Sequence, residues 1–132
     1  MSELRVVAGV VVRDKKVLVA RRGPTMSSAG RWECPGGKVE AGETDGAALA
    51  RELHEELTVT VTVAEHLMDV VVPHNQGTLR LVFYVCALPT GEPVLTEHDA
   101  VRWCTADDLL TLKWQTADEP AVESIRRLLS ED

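Results

Sequence analysis

Glu52, Glu55 and Glu56 crowd a short stretch in the middle of the chain, with Arg51 just before them and Glu43 further back. At 100° per residue the three acids fall within one arc of a helix surface, while Leu49, Ala50, Leu53 and Leu57 gather on another. Glu52 and Glu56 are like charges at i, i+4, and all three acids lie toward the negative end of the helix macrodipole. Both effects work against the helix unless a cation balances them. Hard divalent cations take carboxylate oxygens and share their shell with substrate phosphates. Ahead of the helix, Gly36, Gly37 and Gly42 let backbone approach a phosphate or a metal closely. A glycine-rich loop followed by an acidic helix therefore reads as a metal-phosphate site; a solvated acidic face is the plainer alternative.

The spacing separates these two readings. Gly37, Glu43, Arg51, Glu52, Leu53, Glu55, Glu56 and Val59 fit the Nudix box G-x5-E-x7-R-E-U-x-E-E-x-G-U, in which U is apolar. The chain thus resembles the Nudix hydrolase superfamily, and within it the MutT and CTP pyrophosphohydrolase-like subgroup. The resemblance implies an α/β Nudix fold, a mixed β-sheet sandwiched between α-helices, with the box forming a loop-helix-loop. It also implies that Glu52, Glu55, Glu56 and the Gly36 carbonyl bind metal, Glu52 doubling as general base or water-orienting group. Arg51 would pair with a box glutamate, and Glu43 would support the helix and the metal shell. One position departs from the pattern: the last glycine of the box is Thr58. A β-branched residue resists the left-handed conformation that glycine often takes just past a helix, so the helix is expected to end in another way.

Further candidates lie outside the box. Glu97-His98, followed by Trp103-Cys104, resembles the E-H-x-x-x-x-W-C stretch of bacterial CTP pyrophosphohydrolases, which implies a metal-binding role for Glu97. His98 is either a substrate contact or a local hydrogen-bonding residue. Ala20-Arg21-Arg22, with Glu33 beyond, matches the MutT arrangement and implies that Arg22 contacts phosphate or ribose; a strand-end charge is the alternative. Gly36, Gly37 and Lys38 complete the candidate phosphate-contacting set. Thr116 to Pro120 resembles the segment that presents an Asn or Asp to the base edge, so Asp118 either reads a base or N-caps the following helix. Trp32, Trp103 and Trp114 read as core rather than stacking platforms, Trp114 least clearly.

The activity implied is Mg²⁺-dependent pyrophosphohydrolysis of a nucleoside triphosphate, with Mn²⁺ a possible substitute, releasing a nucleoside monophosphate and pyrophosphate. The substrates implied are (d)CTP and modified or oxidised forms such as 8-oxo-(d)GTP, a nucleotide-pool sanitising role. The same box serves enzymes acting on ADP-ribose, dinucleoside polyphosphates or capped RNA. A third reading is a nucleotide-binding regulatory module without turnover, whose usual mark, loss of the box glutamates, is not seen.

The elements that must position these residues follow from patterning. The 132 residues suit one domain, expected over 1–132, and 45% hydrophobic with 27% charged residues are ordinary globular values. A net charge of −7 argues against a nucleic-acid polymer as partner and leaves a small nucleotide screened by metal. Cys34, Cys86 and Cys104 are odd in number and form no C-x-x-C pair, so buried free thiols are expected. Met1 to Arg5 lacks signal-peptide features and no apolar run reaches membrane-spanning length; a cytoplasmic protein, monomer or homodimer, is expected. Leu4 to Val12 and Val17 to Ala20 predict two strands joined by a polar turn, and Gly23 to Arg31 a loop. Thr44 predicts the N-cap of the box helix. Thr58 to Val63, Leu67 to Val72, Thr78 to Leu88 and Val101 to Cys104 predict strands, the middle two a hairpin with its tip at Pro73 to Gly77. A short helix at Ala106 to Leu110 and a final one from Pro120, with Val122, Ile125 and Leu129 as its apolar stripe, complete the chain.

Overall fold

The computed structural model describes residues 2–131; Met1 and Asp132, the ends of the expected 1–132 domain, lie outside the described residues. The valine-rich run becomes β1 (Glu3–Arg13), buried without interruption from Val7 to Val11. Asp14 and Lys15 both take positive φ, the geometry of a primed two-residue turn, and return the chain into β2 (Lys16–Arg21). Then come β3 (Trp32–Glu33), β4 (Gly36–Lys38), α1 (Asp45–Leu57), β5 (Thr62–His74), β6 (Gly77–Ala87), β7 (Ala100–Cys104) and α2 (Val122–Ser130). Two short 3-10 segments, Asp108–Thr111 and Glu119–Ala121, precede α2.

The sheet runs β3-β2-β1-β6-β5, with β4 added to β1 and β7 to β2. β1 and β6 pair in parallel and the remaining named pairs are antiparallel, so the sheet is mixed. Alternation along the strands divides the core in two. Val7, Val11, Leu18, Val82 and Cys86 face α1 through Ala48, Leu49, Leu53 and Leu57. Ala8, Val10, Val17, Val19, Leu81 and Phe83 pack with Ile125 and Leu129 of α2. The result is the helix-sheet-helix sandwich. α1 sits close to β1: a Cβ at Gly9 would lie 3.1 Å from Leu53 Cδ1. Its first turn is tied down by Thr44 Oγ1, which accepts from Ala47 N–H, and by Asp45, which accepts from Arg5 and the Tyr84 hydroxyl.

Several sequence expectations are corrected. The glycine pair is not simply loop: Gly36 and Gly37 form β4, in register with Ala8 and Val7. Strand pairing there is possible because β1 offers a free edge to which two side-chain-free residues can come close. Ala48, not Ala50, completes the buried stripe of α1. Thr58 to Val63 is not a separate strand. Val59 and Val61 are buried and their threonine neighbours exposed, so the alternation reports packing, but pairing begins only at Thr62 in a β5 that continues to His74. Pro73 and His74 are paired residues, and the hairpin tip narrows to Asn75 and Gln76. The expected helix at Ala106 to Leu110 is a 3-10 segment displaced to Asp108–Thr111, introduced by reciprocal bonds between Thr105 and Asp108. Trp114 is buried, its Nε1–H donating to the Leu109 carbonyl, whereas Trp32 and Trp103 are half-buried beneath the guanidinium groups of Arg21 and Arg13.

The end of α1 carries the sharpest correction. Thr58 does adopt the left-handed conformation, at φ 57° and ψ 38°, and its N–H donates to the His54 carbonyl. Tertiary contacts override its preference: Leu57 and Val59 on either side are buried, and the Leu57 carbonyl accepts from Val94 N–H. The helix therefore ends as a glycine would have ended it, and Glu56 keeps its place.

Candidate active site

Glu56 projects from the last turn of α1 to β4, where its Oε1 accepts the Gly36 N–H at 3.2 Å. A turn earlier, the Glu52 carboxylate packs directly on Gly37, where any Cβ would collide with it. The two box glycines thus serve a close approach between a strand and two carboxylates; neither has positive φ, which is reserved in this segment for Gly42.

Arg51 organises the remaining acids. Its Nε and Nη2 donate to the two Glu43 oxygens at 2.7 and 2.9 Å, and its Nη1 donates to Glu52 at 2.9 Å and to Glu55 at 3.3 Å. Nη2 also reaches the Lys38 carbonyl. Hydrogen bonding from Arg51 and from the Glu40 N–H holds the Glu43 carboxyl down at about 2. Arg51 and Glu43 are therefore a brace that binds the loop to the helix, as the resemblance implies.

A cavity of about 940 Å³ opens beside β4. Its polar wall is Arg22, Glu33, Gly36, Gly37, Lys38, Glu56 and Asp118; its apolar wall is drawn from β1, β5 and β6, including Val6, Val72 and Leu81. The structure thereby brings together Arg22, Gly36, Gly37, Lys38, Glu56 and Asp118. Glu52, Glu55 and Arg51 lie on the same helix as Glu56, and Glu43 on the loop before it, outside the cavity lining. Glu97 is exposed on a segment that touches the end of α1, where Thr96 Oγ1 donates to the Glu56 carbonyl.

Burial pushes the Glu56 carboxyl up to about 8; nearby His98 opposes this, while the charges of Glu33 and Glu52 add to it. Asp118 is buried on the cavity wall and is likewise pushed up to about 8 by burial, although one oxygen accepts the Cys34 N–H at 2.9 Å. It makes no side-chain cap to the 3-10 segment that follows, so the N-capping alternative is set aside. Burial favours the protonated form of Asp118, in which it would offer one donor beside its acceptors.

Sequence reasoning missed the part played by Glu33. Its Oε1 accepts from Arg22 Nη1 at 2.7 Å and its Oε2 lies 2.8 Å from His98 Nε2. Arg22 is therefore a paired cation facing the cavity rather than a loose strand-end charge. Burial lowers the His98 pKa, but the bond to Glu33 and the charges on Glu56 and Glu33 outweigh it, leaving the imidazole above its ordinary value. Glu33 stands eleven positions after Arg22 in the chain, and the match of that spacing to the MutT arrangement was the one available signal.

The donor set suits a hard cation. Glu52, Glu55, Glu56 and the Gly36 carbonyl supply oxygen only, on rigid elements, and half-buried Glu56 is a group whose ionised form a cation would favour. Among the described residues no three His, Cys, Asp or Glu side chains already converge on one point; Arg51 draws Glu52 and Glu55 toward itself along the helix.

A model of the NUDIX domain matches residues 3–125, and the chain belongs to that family. It is 44% identical over 128 residues to a Mycobacterium tuberculosis protein named putative 8-oxo-dGTP diphosphatase 2, covering 95% of this chain and 89% of the relative. It is 36% identical over 132 residues to the CTP pyrophosphohydrolase of Escherichia coli, covering 97% and 95%. The solution structure of the E. coli ORF135 protein superposes with a TM-score of 0.86 at 34% identity, covering 98% of this chain and 93% of that one. Among the described residues no helix is long and apolar enough to cross a membrane.

Proposed function

We propose that the chain is a nucleoside triphosphate pyrophosphohydrolase of nucleotide-pool sanitation, a single NUDIX hydrolase domain over 1–132 acting on (d)CTP or on modified or oxidised (d)NTPs such as 8-oxo-(d)GTP. The observation that carries the proposal is the closure of α1 on β4: Gly36 N–H meets Glu56 and Gly37 lies against Glu52, so the acidic face of the helix adjoins the cavity wall. The names of the relatives support the substrate class. Glu52, Glu55, Glu56, the Gly36 carbonyl and Glu97 would hold Mg²⁺, or Mn²⁺ in its place. When bound, the cation neutralises phosphate charge and lowers the pKa of its water.

The protein groups then have distinct work. Glu52, held by Arg51 and pressed on Gly37, orients the attacking water and accepts its proton, with attack at the β-phosphorus. Arg51 and Glu43 keep that carboxylate from drifting. Lys38 and Arg22 face the cavity with the positive charge that a triphosphate requires in a protein of net charge −7. Asp118, protonated on its buried wall, pairs with the base edge, and the aliphatic wall of β1, β5 and β6 receives the base. The protein works as a cytoplasmic monomer or homodimer on a small nucleotide.

The test is product analysis: pyrophosphate against orthophosphate release with Mg²⁺, across ordinary and oxidised (d)NTPs, ADP-ribose, a dinucleoside polyphosphate and a capped RNA. Pyrophosphate from one base class upholds the proposal and names the substrate. Turnover confined to ADP-ribose, a dinucleoside polyphosphate or capped RNA would replace it, and nucleotide binding without turnover would make the chain a regulatory module.

A further inference from the structure

The Glu97-His98 pair contributes its glutamate to the function proposed above and leaves its histidine unassigned. His98 is 3% exposed and sits on a segment fastened at both ends. Thr96 Oγ1 donates to the Glu56 carbonyl at 2.9 Å, and Asp99 N–H donates to the Arg21 carbonyl at 3.1 Å. The Glu97 carbonyl lies so close over Gly23 that a Cβ there would collide with it. From this strap the imidazole reaches inward to Glu33. A carboxylate only accepts, so His98 Nε2 is the donor in their 2.8 Å contact. Among the described residues His98 Nδ1 is the one buried side-chain nitrogen or oxygen without a hydrogen-bond partner, so Glu33 is the ring's polar anchor.

Glu33 passes the constraint on. Its other oxygen accepts from Arg22 Nη1 at 2.7 Å, and Arg22 donates onward through Nε to the Ser27 carbonyl and through Nη2 to Ser27 Oγ. Each Glu33 oxygen thus has its own donor, which fixes the plane of the carboxylate and the angle of the guanidinium fork. Arg22, Ser27 and Glu33 all line the cavity.

We propose that His98 is a positioning residue: by fixing Glu33 it sets Arg22 and the loop around Ser27 at the cavity wall, and so couples the segment carrying Glu97 to the place where substrate is received. The consequence for substrate rests on the function proposed above. The consequence for the loop does not.

The experiment compares H98L, which keeps bulk without a donor, and H98Q, whose amide nitrogen falls near the place of Nε2, with the wild type. KM and kcat are measured on the preferred nucleotide, and amide exchange across residues 22–31 is measured in the free protein. H98L is expected to raise KM about tenfold with a smaller change in kcat, and to speed exchange at Arg22 and Gly30 by about tenfold, while H98Q restores both. Those two N–H groups bond to the Arg31 and Arg22 carbonyls and report the loop directly. Unchanged exchange in folded H98L, or H98Q as impaired as H98L, would overturn the proposal. Should H98L not fold, H98N, too short to reach Glu33, decides: its losses must disappear in an E33A background, and additive losses overturn the coupling. A wild type that turns over no nucleotide would sink the function reading alone, because the exchange measurement needs no substrate.

Discussion

Gly37 and Glu52 are in direct contact across the gap between β4 and α1, and the space a Cβ would need at Gly37 is filled by the Glu52 carboxylate. The neighbouring Gly36 meets something different, the Val7 carbonyl on the backbone of β1. One glycine makes room for a movable side-chain end; the other makes room for a strand.

The two substitutions should therefore separate activity from stability. Gly37→Ala is expected to leave the fold in place, since Glu52 can swing aside, while turnover falls by about 10²-fold. Gly36→Ala must displace β4 from β1 and is expected to cost about 2 kcal/mol or more of stability. Thermal melts alongside steady-state rates distinguish them. A Gly37→Ala enzyme with normal turnover would mean that the position of Glu52 does not matter.

Thr58 carries backbone strain that its neighbours impose. A non-glycine residue in the left-handed region costs about 1 to 2 kcal/mol, and glycine returns part of that gain through its larger unfolded-state entropy. Thr58 is exposed, so little packing is lost. Thr58→Gly is expected to stabilise the protein by about 0.5 to 1 kcal/mol in denaturant unfolding. A destabilised variant would show that the threonine side chain matters there.

Asp118 sets a pH dependence of stability with a definite sign. Its folded pKa of about 8 lies above the ordinary carboxylate value, so the folded state binds the extra proton between the two. Stability contributed by this group is therefore greatest at acid pH and declines as pH rises from about 4 to about 8. Asp118→Asn removes the titration, so the variant should gain relative to the wild type as pH climbs through that window. Glu43 and Asp45, both held at about 2, act in the opposite sense, losing their contribution only as pH falls from the ordinary carboxylate range through about 2. Melts from pH 4 to 9 check this; parallel curves for wild type and Asp118→Asn would contradict it.

Much of this arrangement was legible in the chain because it is local. Helix periodicity placed Leu49, Leu53 and Leu57 inward and the acids outward, Thr44 announced the start of α1, and the resemblance implied that Arg51 pairs with a box glutamate, which is Glu43 among others. What was not legible depends on residues far apart in sequence. Nothing near Gly36 and Gly37 says that β1 will pair with them. Sequence left Asp118 open between a base-reading residue and a helix cap, because its burial against Cys34 depends on a contact across 84 positions. His98 seemed a loop residue until the strap from Thr96 to Asp99 folded it onto Glu33, and Thr58 follows the needs of Leu57 and Val59 rather than its own preference.

The central claim is that the acidic face of α1 against β4 is a hydrolytic centre for a nucleoside triphosphate. The measurement that tests it most directly is Mg²⁺-dependent pyrophosphate release by the wild type beside Glu52→Gln and Glu56→Gln, each shown to be folded. The account predicts pyrophosphate from the wild type and a drop of about 10²-fold or more in each variant, with the fold intact. Turnover retained in both variants would contradict it.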